Sequence, residues 1–263
     1  MPLMKLQELI YTLEPIAPPK LAEAWDNVGL LINPLCPRDI KKVLLTIDLT
    51  EAVAREAIEK EVDLIVTYHP ILFRPIQRLN SDDAYDRTVM RLIQNDIAVY
   101  SPHTALDAAL GGVNDWLAEG VGAGKVSVLQ PIAGSNAGQG RLVQLDEPVS
   151  IETLVQRIKK HLGLKQLRLA STTADASIQT VALCAGAGTD VFKGVQADAY
   201  LTGEMSHHPV LAATLRGTQV ILCEHTNTER GYLPVYAEKL KKAWGNGVDI
   251  FISEMDSDPI TFH

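Results

Sequence analysis

The sequence predicts an α/β protein whose two halves carry related sheets, and three observations predict it. Apolar runs of strand length alternate along the chain with segments of helical periodicity. A short signature occurs twice, as His103-Thr104-Ala105-Leu106-Asp107 and as His225-Thr226-Asn227-Thr228-Glu229, each time after an apolar run, 97–101 and 220–223. Upstream, Asp63-Leu64-Ile65-Val66-Thr67-Tyr68-His69 matches Asp198-Ala199-Tyr200-Leu201-Thr202-Gly203-Glu204 in pattern: acid, apolar strand, Thr, then a polar group at the strand end. The echo reads as duplication of a strand, helix, strand unit.

Leu6, Leu9, Ile10 and Leu13 recur at helical spacing, and Pro15 with Pro18 and Pro19 ends that helix. The cluster Trp25-Asp26-Asn27-Val28-Gly29-Leu30 reads as a turn in which Asp26 and Asn27 organise the backbone and Trp25 enters the core. A branched apolar run over 43–49 is a strand, and Thr50 is placed to cap a helix over 51–61. Strand 64–67 follows, and Pro70 biases His69 away from helical geometry, onto a strand-end loop. A helix over 84–95 presents Tyr85, Val89, Leu92 and Ile93 on one face. Strand 97–101 delivers the first His-Thr signature, and Val113, Trp116 and Leu117 form a short helix. Glycines at 122, 124, 134, 138 and 140 mark 120–140 as a boundary. The expected division is 1–122, completed by 225–263, and 123–224. In the second half strands fall at 141–145, 166–170, 180–184, 199–202, 219–223 and 248–252. Helices fall at 150–162, 208–215 and 233–244. Gly186-Ala187-Gly188 lacks the lysine of a phosphate-binding loop and reads as a tight turn needing positive φ.

A chain of 263 residues can bury a sizeable core. Its net charge of −8 opposes adhesion to phosphate backbones or anionic lipid, so direct nucleic-acid binding is disfavoured. Cys36, Cys184 and Cys223 are widely spaced, with no Cys-x-x-Cys pair, which suits neither a thiolate zinc site nor a disulfide framework. A reduced, cytoplasmic setting is expected. The amphipathic start holds Lys5, Gln7 and Glu8 and suits neither a signal peptide nor a membrane span.

His69, His103, Asp107, His225 and Glu229 are all expected on sheet-terminal loops, where rigid strands project loop side chains into one crevice. Nitrogen and oxygen donors without sulfur suit zinc, manganese or iron, with nickel or cobalt as further candidates. Two carboxylates can bridge ions roughly 3.5–4 Å apart, the separation used by two-metal hydrolytic sites. Each histidine alone would be an ordinary surface or core residue; the paired signatures turn the balance toward metal. Glu204, matching His69 in the repeat, is the candidate general base, with His208 assisting and His207 beside it. Arg74 and Arg230 are the candidates to meet an anion.

In order along the chain, Trp25 to Leu30, Asp63 to Pro70, Ser101 to Asp107, Gly203 to His208 and His225 to Arg230 resemble the Ngg-one-interacting-factor-three-like family. Its members are also called dinuclear metal centre proteins or GTP cyclohydrolase I type 2 homologues. The resemblance covers essentially the whole chain. It implies two interlinked α/β domains with mixed sheets, a two-metal site in the cleft between them, and a homohexameric ring. Family ligands map onto His69, Asp107, His225 and Glu229. Many members carry His-His-Pro where this chain has Tyr68-His69-Pro70, a form that resembles a subset including eukaryotic relatives; the phenol, of ordinary pKa about 10, is a poorer ligand than imidazole unless a metal lowers that pKa, and His103 can compensate.

Two function classes follow. One is a metal-dependent hydrolase acting on a small phosphoester or nucleotide, with Asp107 or Glu229 bridging the ions; GTP cyclohydrolase-like activity is implied by the resemblance alone. The other is a non-catalytic metal-homeostasis, metal-delivery or regulatory scaffold protein with protein partners, toward which the Tyr68 substitution leans.

Overall fold

A computed structural model describes residues 5–36, 39–173 and 175–261. Residues 1–4 of the amphipathic start and 262–263 of the closing segment lie outside the described residues. The chain divides into one unit of 1–106 with 232–261 and a second of 107–231. Both are mixed α/β assemblies built on a mixed sheet.

The first unit contains β1 (Gly29–Ile32), β2 (Lys42–Thr46), β3 (Leu64–Thr67), β4 (Ala98–Ser101) and β11 (Asp249–Ile252) in the order β1-β4-β3-β2-β11. All neighbours are parallel except β1, which runs antiparallel to β4. Helix α2 (Glu51–Glu59) starts where Thr50 accepts from the Val53 N–H, and α3 (Ala84–Gln94) where Asp83 accepts from Tyr85 and Asp86 N–H groups. Strand side chains alternate between faces, so Leu44, Ile65 and Val99 meet Val53, Ala57, Val89 and Leu92 of these helices. Each of the three strand residues is fully buried, worth about 1.5–3 kcal/mol. Helix α1 (Leu6–Leu13) and α8 (Leu233–Trp244) pack together, α8 also against β2 and β11. Tyr85 and Ile93 are 43% and 40% exposed, so they do not belong to the buried face of α3; that face is Thr88, Val89 and Leu92.

The second unit holds α4 (His103–Ala108, which crosses the boundary), α5 (Val113–Glu119), β5 (Gly124–Pro131), β6 (Gly138–Ser150), α6 (Ile151–Leu162), β7 (Arg168–Ala170), β8 (Ser177–Cys184), β9 (Ala199–Thr202), α7 (His207–Leu215) and β10 (Gln219–Leu222). Its sheet order is β5-β6-β8-β9-β10-β7. The glycine-rich stretch is part of this sheet. It forms most of the antiparallel hairpin β5–β6, whose glycines permit close backbone approach: a Cβ at Gly124 would lie 2.3 Å from the Gln144 carbonyl. Ser150 caps α6 through the Thr153 N–H, and Gly163 ends it at φ 69°.

The repeat expected from the sequence is carried by topology. Order β1-β4-β3-β2 matches β7-β10-β9-β8, each with an antiparallel edge followed by parallel pairs. Asp63 Oδ2 accepts from the Lys41 and Lys42 N–H groups at the start of β2; Asp198 Oδ2 accepts from Gln179 and Thr180 N–H groups in β8. The matched acids thus close matched strands. No helix among the described residues is long and apolar enough to cross a membrane.

Candidate functional site

In the first unit, β3 ends at Thr67 and its chain is pinned onto the end of β2. Tyr68 N–H donates to the Thr46 carbonyl (2.8 Å) and His69 N–H to Ile47 (3.0 Å). The register places Asp48 beside His69, and Asp48 Oδ1 lies 2.8 Å from His69 Nδ1. A carboxylate on Nδ1 holds the proton there and leaves the Nε2 lone pair as the donor.

His103 shows the same arrangement from a different source. Its Nδ1 lies 2.7 Å from Asp26 Oδ1, while Asp26 Oδ2 accepts from the Thr104 N–H at 3.1 Å and from the Thr104 hydroxyl. Burial pulls the Asp26 carboxyl upward, but the hydrogen bond and charge of His103 and the hydrogen bonds of Thr104 outweigh it and hold it below the usual range. Asp26 also accepts from Asn27 N–H, so it organises its turn and fixes an imidazole at once. His103 sits at φ 26°, a region costly for a non-glycine residue, at the first position of α4. Tyr68, His69, Trp25 and Phe73 surround its ring edge-on at centroid distances of 5.7, 5.3, 6.0 and 6.4 Å. Trp25 is 60% exposed, which overturns its expected place in the core: the turn holds the indole over the rings at the surface.

In the second unit, His225 follows Glu224, which lies at φ 66° and is paired through its carboxylate with Arg168 at 2.7 Å. Glu204 Oε1 lies 3.0 Å from His225 Nδ1, and Glu229 Oε1 lies 3.3 Å from His225 Nε2. The donor atoms of His225 and Glu229 are close enough to share one ion. Gly186 completes this corner at φ 62°: a Cβ there would stand 2.8 Å from Glu229 Oε1 and 2.9 Å from His225 Nε2. Its N–H donates to Thr228 Oγ1 (2.8 Å), and its carbonyl accepts from Glu204 N–H (2.9 Å) and the Thr202 hydroxyl (3.0 Å). The tight turn expected at 186–188 therefore keeps space open before two metal-type donors. Asn114, fully buried, donates to the Asp107 carbonyl (3.2 Å) and accepts from Ala185 N–H (2.9 Å), tying the Asp107 segment to this turn.

His103 and Asp107 do not lie on a loop as expected. They stand on α4, four residues apart, where helical spacing puts both on one face. His69 and His225 do fall outside strands and α-helices, on strand-end segments. Glu204 is exposed and contacts His225 directly; His208 is exposed on the first turn of α7, its ring edge-on to His207 at 5.4 Å. Arg230 donates to Thr226 Oγ1, and Arg74 lies on the exposed loop after His69. Burial, with the Glu224 charge, pushes the Cys223 thiol up to about 12, so it stays protonated at neutral pH and the donor set remains nitrogen and oxygen. Asp48 and Asn114 escaped the sequence reading. The only trace of Asp48 is its position two residues before the helix cap Thr50, and the run over 43–49 hid it, because β2 ends at Thr46.

This donor chemistry fits divalent cations of borderline or hard character: imidazoles whose Nδ1 is held by a carboxylate, a buried Glu229, and a glycine in front of the donors. A family model described as Duf34/NIF3 (NGG1p interacting factor 3) matches residues 4–259. The chain is 45% identical over 273 residues to the protein NIF3 homolog of Schizosaccharomyces pombe, covering 98% of this chain and 96% of that protein. It is 44% identical over 262 residues to NIF3-like protein 1 of Drosophila melanogaster, covering 97% and 88%. Among solved structures, a Staphylococcus aureus hypothetical protein matches with a TM-score of 0.88 at 26% identity over 100% of both chains. Reduced HcgD from Methanocaldococcus jannaschii matches with 0.82 at 30% identity, covering 95% of this chain and 98% of that one.

Proposed function

Because this chain belongs to the Duf34/NIF3 (NGG1p interacting factor 3) family, we propose that it binds two divalent metal ions through His69, His103, Asp107, His225 and Glu229 and works as a metal-dependent hydrolase. One observation carries the reading. Three histidines from separate parts of the chain each have Nδ1 against a carboxylate, Asp48, Asp26 or Glu204, and so each offers Nε2 as a metal-type donor. Zinc, manganese, iron, nickel and cobalt all suit such a set.

Bound ions of this kind supply Lewis acidity and make water a stronger nucleophile at neutral pH. The chain's own groups do the rest. Asp48, Asp26 and Glu204 hold the imidazole tautomers. Glu204, half exposed beside His225, takes the proton of the attacking water on its carboxylate, and His208 assists proton transfer to the leaving group. The substrate is a small phosphoester or nucleotide, and GTP cyclohydrolase-like turnover is the activity the family resemblance suggests. A homohexamer in the reducing cytoplasm accords with that resemblance and with three free cysteines.

A second reading is favoured by Tyr68. The phenol, 4% exposed and 5.1 Å from the His69 ring, stands where many relatives have an imidazole, and a position short of one ligand exchanges its ion more readily. That suits metal homeostasis, delivery or regulatory scaffolding without turnover. Elemental analysis of the purified protein, with a metal-supplemented screen of nucleotides and phosphoesters on wild type, Asp107→Ala and Glu229→Ala, separates the two. Turnover restored by one defined ion and lost in both variants supports the hydrolase. Stoichiometric loading with no turnover across the panel supports delivery, and absence of stoichiometric metal overturns both.

A further inference from the structure

The loop that leaves His69 is anchored at two points. Asn27 Nδ2 donates to the Leu72 carbonyl, and the Trp25 ring meets Phe73 edge-on at 5.9 Å. Thus held, Phe73, Arg74, Arg78 and Tyr85 line a cavity of about 500 Å³, within the range of small-molecule sites. Neither Arg74 nor Arg78 forms an ion pair among the described residues, although the chain carries a net charge of −8. The carboxylate in the wall, Asp86, is engaged elsewhere, accepting from the Asn80 N–H at 2.9 Å. Phe73 and Tyr85 are 44% and 43% exposed, so ring surface is open to a ligand. Tyr85 also lines a second cavity of about 530 Å³ whose walls include His69 and Asp48.

Two unpaired guanidiniums facing one hollow suit a phosphoryl group, whose oxygens match the planar donor fork. Aromatic faces beside them suit a flat ring. The geometry points to a site for an aromatic phosphomonoester, with the phosphate on Arg74 and Arg78 and the ring against Phe73 and Tyr85. The assignment rests on the hydrolase reading only in making this the substrate of the His69 site; the recognition itself needs no metal. Tyr85 lines both this cavity and the one that includes His69.

The test is calorimetric titration of the full-length, metal-stripped protein with phenyl phosphate, inorganic phosphate and phenol. Wild type is expected to bind phenyl phosphate at least tenfold more tightly than inorganic phosphate. Arg74→Ala with Arg78→Ala should weaken both by tenfold or more, and Phe73→Ala should weaken phenyl phosphate alone. Unchanged phenyl phosphate binding in the double arginine variant, or no binding by wild type, overturns the site. In a parallel titration of protein as purified, without stripping and with its metal content measured, Asp107→Ala with Glu229→Ala separates this idea from the metal reading. Phenyl phosphate binding retained there while metal is lost supports a metal-independent pocket, whereas binding lost along with metal overturns it. If wild type holds no metal yet binds phenyl phosphate through both arginines, the pocket stands and the metal reading falls.

Discussion

Asp48 and His69 meet across the ends of adjacent parallel strands, with Oδ1 of one 2.8 Å from Nδ1 of the other. Removing such a partner typically costs 10–100-fold in metal affinity, because the ring loses its tautomer and aim. Asp48→Ala is therefore expected to lower affinity by about 10–100-fold while leaving the circular dichroism spectrum intact. Competition titration with a chromophoric chelator measures it, and an unchanged affinity would remove Asp48 from the centre.

Gly186→Ala should fail twice. At φ 62° a side chain costs about 1–2 kcal/mol, and the new methyl would press on Glu229 and His225 at under 3 Å. Urea denaturation should show the destabilisation, and elemental analysis a loss of metal. Full metal content in the variant would contradict the role given to this glycine.

Asn114 is the buried amide between Asp107 and Ala185. Replacing it by Ala removes the acceptor of the buried Ala185 N–H, a penalty of about 1–3 kcal/mol for an orphaned buried group. Chemical denaturation reads the loss. A variant as stable as wild type would show that the bridge contributes nothing.

Acid should weaken the first unit through Glu56. Burial raises this carboxyl, but hydrogen bonds from Lys60, Ser253 and the Glu254 N–H prevail and hold it below the ordinary carboxylate value of 4.5. A carboxyl lowered by folding adds stability that is present above 4.5 and disappears as pH falls through its folded value. Glu56→Gln should cost about 1.5–3 kcal/mol at pH 7, since hydrogen bonds to a charged group are lost. The gap from wild type should shrink below pH 4.5 in urea melts run from pH 7 to 3. A gap constant with pH would rule out this linkage.

Tyr68→His puts a second imidazole beside His69. Because Tyr68 already packs against His69 and His103 at 5.1 and 5.7 Å, the new ring enters the same cluster. Metal content per chain, measured by plasma emission, should rise or be retained more strongly against a chelator. No gain would mean that the phenol leaves no vacancy in the ligand set.

Much of the architecture was legible locally. Thr50 and Ser150 announce helices α2 and α6 because a hydroxyl at that position satisfies an N–H the helix leaves open. The apolar strands β3 and β9 and their trailing Thr residues reveal the repeat because acid, apolar run and Thr recur at the same spacing in both halves. The use of the glycines in 120–140 was not legible locally, because the close backbone approach they allow depends on the pairing of β5 with β6. Trp25 misled because a large ring is usually buried, whereas here the turn it sits on is held at the surface by Asp26 and Asn27.

By itself the sequence determined the alternation of strands and helices, the duplicated unit, and the nitrogen and oxygen character of the candidate ligands. These depend on side-chain type and on spacing of a few residues. Tertiary structure alone decided which acid serves which imidazole: Asp26 for His103 across 77 residues, Asp48 for His69 across 21, Glu204 for His225 across 21. It also decided that Asn114 and Gly186 frame the Glu229 corner. Such pairings arise when strand register brings distant carboxylates and rings within 3 Å, and periodicity along the chain contains no record of that register.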